Sequence, residues 1–461
     1  MQKLSQWFNN DLPKYLMAAV LIIVPLFPKF PLFAIPGTYV AIRFEDLILV
    51  VLGIVTFLKI IRNPKNFFKD ELVVAFLIFF GVNLVSLLSG IFLTKTVSLH
   101  IGFLNYLRRV EYLVPLFAIL TLFTKEQINK NLNYFVKILI IVTIVACLYG
   151  LGERYLSFPI ITTQNDQYAK GVALRWSPGS HISSTFAGHY DLAAFMVMVL
   201  PIFITLFFTI KEKWNKIWLF LTIGGGLWLL INSLSRISQV SYLIAVTIAL
   251  IISRKFKSLA LVLIVSIVLI GQSSSLYARF DRVIEVFYKN VQRIVHISFK
   301  PSFVVHAEST TIPTLRSNLP KPTTTPVPVF EDRSTSIRLN VEWPRAIRAF
   351  EINPFLGTGY SSISLATDND FLRMLGETGI LGLFAFFLIF MKIGKLFIKA
   401  IPKLKNIPEP AASFIIGILG AIIGTFISSL FIDLFEASKF ATIFWLLVGY
   451  VVYLIRNYAN D

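Results

Sequence analysis

The sequence predicts an all-α integral membrane protein with about twelve transmembrane helices. Of its 461 residues, 56% are hydrophobic and only 15% are charged, whereas about a quarter of the residues of a soluble domain are charged. The apolar residues form continuous runs near the length of roughly 20 residues that a helix needs to cross a bilayer. Because these runs do not alternate with polar residues, helices are predicted rather than a β-barrel.

Twelve apolar runs account for the predicted spans. The first is interrupted by prolines, the fourth is short, and the last three follow a long polar segment. No cleavable signal peptide is expected, because the first run lacks a small-residue cleavage site and further spans follow it. The runs are residues 14–33, 43–61, 71–93, 110–123, 133–152, 190–210, 216–232, 237–253, 258–272, 378–398, 411–432 and 439–455.

Lysine and arginine residues in alternate short connections predict the orientation of the chain. Because basic connections stay on the cytoplasmic side, both termini are expected in the cytoplasm. The long segment between the ninth and tenth spans then lies outside. The predicted organisation is an N-terminal transmembrane bundle (1–272), an extracytoplasmic loop (273–377) and C-terminal transmembrane helices (378–461).

The predicted extracytoplasmic loop has three parts. Residues 277–299 repeat apolar residues at helical spacing with basic residues between them, a pattern typical of an amphipathic helix on a membrane surface. Residues 301–336 are rich in proline and threonine, which indicates an extended or disordered insertion. Residues 337–350 again have helical spacing and end before the Pro- and Gly-containing turn at 353–359.

The net charge of +18 does not indicate a nucleic-acid partner, because the chain has no basic soluble domain to hold one. Arginines are unusually frequent in the segments predicted to lie outside. Their planar, bidentate donors suggest an anionic ligand such as phosphate or pyrophosphate. Anchoring to lipid headgroups and scattered salt bridges are the alternative. These arginines are Arg154, Arg175, Arg236, Arg279, Arg282, Arg293, Arg316, Arg333, Arg338, Arg345, Arg348 and Arg373.

Four motifs follow one another in the C-terminal half. They are "NSLSRISQVSYLIA" (232–245), a helix with Arg-x-x-x-x-Trp beginning at Arg338, "NPFLGTGYSS" (353–362) and "DNDFLRMLGETGILGLFAFFLIF" (368–390). In this order and spacing they resemble the O-antigen ligase/O-antigen polymerase superfamily of bacterial envelope glycosyltransferases. The N-terminal third resembles that family only in having several spans. The resemblance implies a GT-C-like architecture and a location in the bacterial cytoplasmic membrane.

The resemblance also implies an activity. Such an enzyme would transfer a glycan from an undecaprenyl-diphosphate donor to an acceptor hydroxyl on the outer face of the membrane, with inversion and without a metal or other cofactor. The acceptor stays open between another lipid-linked glycan, a lipid core and a protein hydroxyl, the last making the chain a protein O-oligosaccharyltransferase. A glycan transporter or flippase is the alternative outside this class, although it would be expected to place several ionisable residues in mid-span.

Three residues are the catalytic candidates. By motif position, the resemblance implies that Arg236 and Arg338 hold the donor diphosphate, and guanidinium groups there would also stabilise charge on the leaving phosphate. Relatives commonly have His where this chain has Asp368. A carboxylate can also accept a proton, so Asp368 is the candidate base, with Asp370 and Glu377 as rivals.

Further candidates concern substrate binding. Asn369 is a candidate for orienting a sugar hydroxyl, and Arg345 and Arg175 complete the predicted binding set. The acidic cluster around Asn369 is equally typical of helix capping, and the two interpretations are compatible. No metal site is expected, because the spacing of His181 and His189 fits no metal-ligand geometry, and a surface role is expected for both.

Overall fold

The protein is described by a computed structural model over residues 11–29, 31–35, 41–160, 174–271 and 336–459. The described residues form a helical bundle with one short antiparallel hairpin of two strands. The predicted amphipathic helix at 277–299, and all but the last residue of the Pro/Thr-rich segment 301–336, lie outside the described residues. The all-α prediction is therefore confirmed for the part of the chain that the structure describes.

The elements are numbered here in chain order. The N-terminal part contains α1 (Leu12–Leu26), β1 (Pro31–Ala34), β2 (Ala41–Arg43), α2 (Phe44–Arg62), α3 (Pro64–Phe68), α4 (Glu71–Phe92), α5 (Leu99–Leu122), α6 (Lys125–Tyr155), α7 (His189–Phe207), α8 (Lys213–Asn232), α9 (Arg236–Ile252) and α10 (Phe256–Gly271). The C-terminal part contains a π-helix (Arg338–Glu342), α11 (Trp343–Ile352), α12 (Asp370–Ala400), a 3₁₀-helix (Ile401–Asn406), α13 (Ala411–Ser429) and α14 (Ser438–Ala459).

Among the described residues, seven helices are long and apolar enough to cross a membrane, and α1, α9 and α10 are apolar but shorter. The seven are α4, α6, α7, α8, α12, α13 and α14, of which α7, α13 and α14 are the most deeply buried. Helices α2 and α5 stand at the second and fourth predicted spans. The number of twelve spans stays a prediction. Helix α5 begins at Leu99, about three turns before the predicted span 110–123.

Ion pairs join helices at one end of the bundle, which we call the opposite end. Arg456 in α14 donates two hydrogen bonds to the carboxylate of Asp70, at 2.6 and 2.7 Å. Lys392 in α12 lies 2.7 Å from Glu71 at the start of α4. These contacts place the start of α4 beside the final turns of α12 and α14.

The other end of the bundle, which we call the site end, is held by the buried Lys439 at the start of α14. Its side chain is inaccessible to solvent. The ammonium group donates to the carbonyls of Pro25, Phe27 and Thr185, at 3.1, 2.8 and 2.6 Å. Because a buried charge without partners is costly, these three bonds hold the end of α1 and the segment before α7 against α14.

Helix α12 is broken near the site end at Gly379, where φ is 67° and ψ is −171°. The turn 353–360 packs into this break, and the amide of Ile380 donates to the Pro354 carbonyl at 2.9 Å. A Cβ atom at Gly379 would lie 2.3 Å from the carbonyl oxygen of Phe355, so a residue with a side chain does not fit. The break in α12 thus holds the turn 353–360 against the first turns of this helix.

Candidate active site

Two of the predicted site residues, Arg338 and Asp368, are in direct contact. Nε and Nη2 of Arg338 both donate to Oδ2 of Asp368, at 3.0 and 2.8 Å. The second carboxylate oxygen, Oδ1, accepts no hydrogen bond from the residues that the structure describes. The side chains are 10% and 24% exposed. Asp368 therefore keeps one carboxylate oxygen for a partner that enters from outside.

The position of Arg338 follows from the local helix geometry. It begins a five-residue π-helix that continues directly into α11, and single π-turns are frequent at functional sites. Trp343 in α11 lies against Phe431, with ring centroids 6.1 Å apart. Burial alone would lower the pKa of Arg338, but the charge of Asp368 and a hydrogen bond with Tyr190 raise it. The guanidinium group is therefore permanently charged.

Asp368 is held by its two chain neighbours. Its backbone is left-handed, with φ of 50°, which is uncommon for a residue other than glycine. The amides of Thr367 and Asn369 donate to the two carboxylate oxygens of Asp433, at 2.8 and 3.0 Å. Arg373 also donates to Asp433, at 3.2 Å. The connection between α13 and α14 thus fixes the strained backbone that presents Asp368.

Asn369 is the N-cap of α12. Its Oδ1 accepts from the amides of Phe371 and Leu372, at 3.1 and 2.9 Å, and so satisfies two donors that the first helical turn leaves free. The capping interpretation of Asn369 is therefore confirmed. A contact of its side chain with a sugar stays a prediction.

The two rival carboxylates lie deeper in the bundle than Asp368. Asp370 is 4% exposed and accepts from the amides of Leu434 and Phe435, at 2.8 and 3.2 Å. Glu377 is 2% exposed, and its Oε1 lies 3.5 Å from Nε of Arg373. Both carboxylates therefore interact with groups inside the bundle. Asp368 is thus the candidate base with access to an acceptor.

Sequence reasoning missed a second carboxyl group beside this pair. Glu342 follows Arg338 by four residues, and its buried Oε2 has no hydrogen-bond partner among the described residues. Burial, and then the negative charge of Asp368, raise the pKa of Glu342 to about 7. Burial also raises the pKa of Asp368, against the charge of Arg338. The site therefore contains one carboxyl group that changes its charge near neutral pH.

Arg345, Arg236 and Arg175 lie on separate segments of the site end, whereas Arg279, Arg282, Arg293, Arg316 and Arg333 fall outside the described residues. Arg345 is in α11, and its buried Nη1 has no partner within the described ranges, so it is available to an anion. Arg236 is the first residue of α9 and is half-buried. Arg175 is exposed, in the segment before α7. The structure thus joins Arg338 with Asp368 and Asn369, whereas Arg236 and Arg175 stand on other segments of the same end.

Two histidines also lie beside this centre. The rings of His181 and His189 stack with centroids 3.8 Å apart, and the ring of Tyr190 is 4.0 Å from His189. The ring of Tyr190 in turn lies near the charge of Arg338, so both histidines stand beside the candidate site, and their surface role stays a prediction. In the part of the chain that the structure describes, no group of three or more His, Cys, Asp or Glu residues is placed to hold a metal ion.

Residues 223–387 match the family model described as O-antigen ligase. The match covers about a third of the chain and includes Arg236, Arg338 and Asp368. The resemblance to the O-antigen ligase/polymerase superfamily that the sequence motifs indicate is therefore confirmed. At the level of the family, the match supports glycan transfer by a membrane enzyme of the glycosyltransferase type. No curated protein matches the chain.

Proposed function

We propose, from the premise that residues 223–387 form an O-antigen ligase domain, that the chain transfers a glycan from undecaprenyl diphosphate to an acceptor hydroxyl. The reaction would take place on the outer face of the bacterial cytoplasmic membrane. The contact between Arg338 and Asp368 carries this proposal. Arg338 is a cation that can bind a diphosphate, and Asp368 is a carboxylate that can accept a proton. Both lie at one end of a bundle of apolar helices.

The donor would bind through Arg338. A diphosphate oxygen can replace Oδ2 of Asp368 as the acceptor of the two guanidinium hydrogen bonds. The unpartnered Nη1 of Arg345 offers a further donor on the neighbouring helix. Since negative charge builds up on the diphosphate as it leaves, fixed donors in a site with little water lower the barrier of this step.

The acceptor would react through Asp368. As the acceptor oxygen forms its bond with the anomeric carbon, the carboxylate takes the hydroxyl proton. The bond from the anomeric carbon to the phosphate oxygen breaks, and undecaprenyl diphosphate leaves with the electron pair. A single displacement of this kind inverts the configuration of the anomeric carbon. Arg338 supplies positive charge to the leaving group throughout.

The proposed orientation rests on the charges of the opposite end. Lys392 pairs with Glu71 there, and Lys395, Lys399 and Lys403 continue along the same segment. Because basic residues are retained on the cytoplasmic side, the opposite end would face the cytoplasm. The site end, with Arg338 and Asp368, would then face outward.

A reconstituted transfer assay tests the proposal. Purified protein in lipid vesicles would be given a lipid-diphosphate oligosaccharide, alone and with lipid-core or peptide acceptors, and the products would be resolved by size. Longer lipid-linked chains indicate a polymerase, and glycan on an added acceptor indicates a ligase or protein transferase. No product with any acceptor, together with movement of the donor across the bilayer, would contradict the proposal and indicate a flippase.

The pH dependence of donor binding follows from Glu342. Below about pH 7 its carboxyl group is mostly protonated, and above that pH it adds a negative charge beside Asp368. We therefore expect the KM for the anionic donor to rise several-fold between pH 6 and pH 8. In Glu342→Gln this rise should disappear, because the amide carries no charge at either pH. An equal rise in wild type and variant would contradict the assignment.

The two backbone hydrogen bonds that Asp433 accepts beside Asp368 predict a smaller effect on turnover. In Asp433→Asn, one of the two amides that flank Asp368 faces an NH₂ group instead of an oxygen, so one of the two hydrogen bonds is lost. We expect kcat to fall by about tenfold, the usual scale for losing a hydrogen bond to a charged group. In a variant that also carries Asp368→Asn, Asp433→Asn should cause no further loss, since both act through one carboxylate.

A further inference from the structure

We infer that the donor's polyprenyl tail binds in one particular groove, between α12 and α13. The groove has a volume of about 610 Å³, and the described residues that line it are all apolar. We call it the tail groove. The lining residues are Phe371, Phe387, Phe390, Ile393, Gly394, Phe397, Leu419, Ile422, Ile423, Phe426, Ile427 and Leu430. The identity of the tail rests on the proposed function.

The tail groove begins directly at the candidate active site. Phe371 lies three residues after Asp368, and Leu430 lies three residues before Asp433. The amide of Asn369 donates to Asp433 at 3.0 Å, so the two walls are tied together at the site end. If the diphosphate binds to Arg338, its lipid tail would therefore enter the groove at the site end.

The lining is rich in phenylalanine. Phe390 and Phe426 meet edge to face with centroids 4.5 Å apart, and Phe371 and Phe387 stack at 5.7 Å. Aromatic side chains present a large apolar area for contact. Among the residues that the structure describes, no polar side chain lines the groove, so a headgroup would find no described partner there. The lining thus suits the hydrocarbon part of a lipid whose charged part is held elsewhere.

A glycine keeps the groove open. Gly394 lies in α12 among the lining residues, and a Cβ atom built on it meets nothing within 4 Å. Gly81 in α4 also has open space around it but does not line the groove. At either position the first side-chain atom therefore meets no described atom, whereas only position 394 lines the groove. These two positions provide a test variant and its matched control.

Photocrosslinking tests the inference without requiring turnover. Undecaprenyl diphosphate with a diazirine in its tail would be added to the protein in vesicles of phosphatidylethanolamine and phosphatidylglycerol, and the labelled peptides would be mapped. We expect labels on α12 and α13 that unlabelled undecaprenyl diphosphate removes. In Gly394→Trp the labelling should fall by about tenfold, because the filled groove no longer buries the hydrocarbon, and in Gly81→Trp it should be unchanged.

The outcomes separate this inference from the proposed function. Specific labels in the groove, without transfer to any acceptor, would support the tail site and overturn the transferase. Transfer with labels on other helices would overturn the tail site alone. The site would also be overturned if unlabelled undecaprenyl diphosphate failed to remove the labels, since the groove would then be a general lipid contact. Wild-type mapping decides the question even if Gly394→Trp fails to fold.

Discussion

Replacing Arg338 with lysine should lower the rate of glycan transfer by about 10²-fold or more, although the positive charge is retained. The guanidinium group donates to Asp368 through two nitrogen atoms, Nε and Nη2. An ammonium group is a point charge and cannot reproduce this fixed fork of donors. Initial rates in vesicles, with saturating acceptor and varied lipid-diphosphate donor, measure the effect.

A matched control lies on the following helix. Arg348 is exposed on α11, and Arg348→Lys should leave the rate unchanged. If Arg338→Lys transferred glycan as fast as wild type, Arg338 would contribute only charge, and the proposed role in stabilising the leaving diphosphate would be wrong. Arg236→Lys in the same assay shows whether the second predicted arginine also depends on its donor geometry.

The sequence could predict that Arg338 and Asp368 lie at the same end of the bundle. The two residues are 30 positions apart, but both fall in one polar segment ahead of an apolar run. A membrane confines such a segment to one end of the bundle, so the number of possible partners is small. The family resemblance then identified each residue as a candidate, Arg338 for anion binding and Asp368 as the base, without predicting their contact.

The residues that support this pair could not be predicted in the same way. Asp433 and Tyr190 come from connections and helix starts far away in the chain, and no local pattern links them with Asp368 or Arg338. Glu342 does lie on the same helix as Arg338. Spacing places it nearby, but its charge state depends on burial, which spacing does not reveal.

The number of spans shows a further limit of hydropathy. Arg108 in α5 lies 3.0 Å from Asp46 in α2, and both helices are absent from the seven that are long and apolar enough among the described residues. Each charged residue lowers the hydropathy of its own helix. In the folded bundle, however, the two charges form an ion pair between the helices, as charged residues within membrane helices usually do. A limit on the charged residues in one segment therefore leaves out both helices, although the apolar runs at 43–61 and 110–123 predict a span at each place.

Asp368→Asn should reduce kcat by about 10²- to 10⁴-fold, the range of general base catalysis. The amide retains the shape of the side chain but cannot take the acceptor's proton. It also removes the negative charge that pairs with Arg338. The KM for the donor should therefore stay the same or fall, because the diphosphate no longer competes with a carboxylate for the guanidinium group.

This division between kcat and KM distinguishes a base from a residue that only supports the fold. A purely structural loss would lower the amount of folded protein and would leave the kcat of the remaining enzyme intact, which active-site titration with labelled donor measures. If kcat in Asp368→Asn matched wild type, the proton would have to go elsewhere. The stacked pair of His181 and His189, which lies against Tyr190, would then be the next group to replace, since imidazole accepts protons near neutral pH.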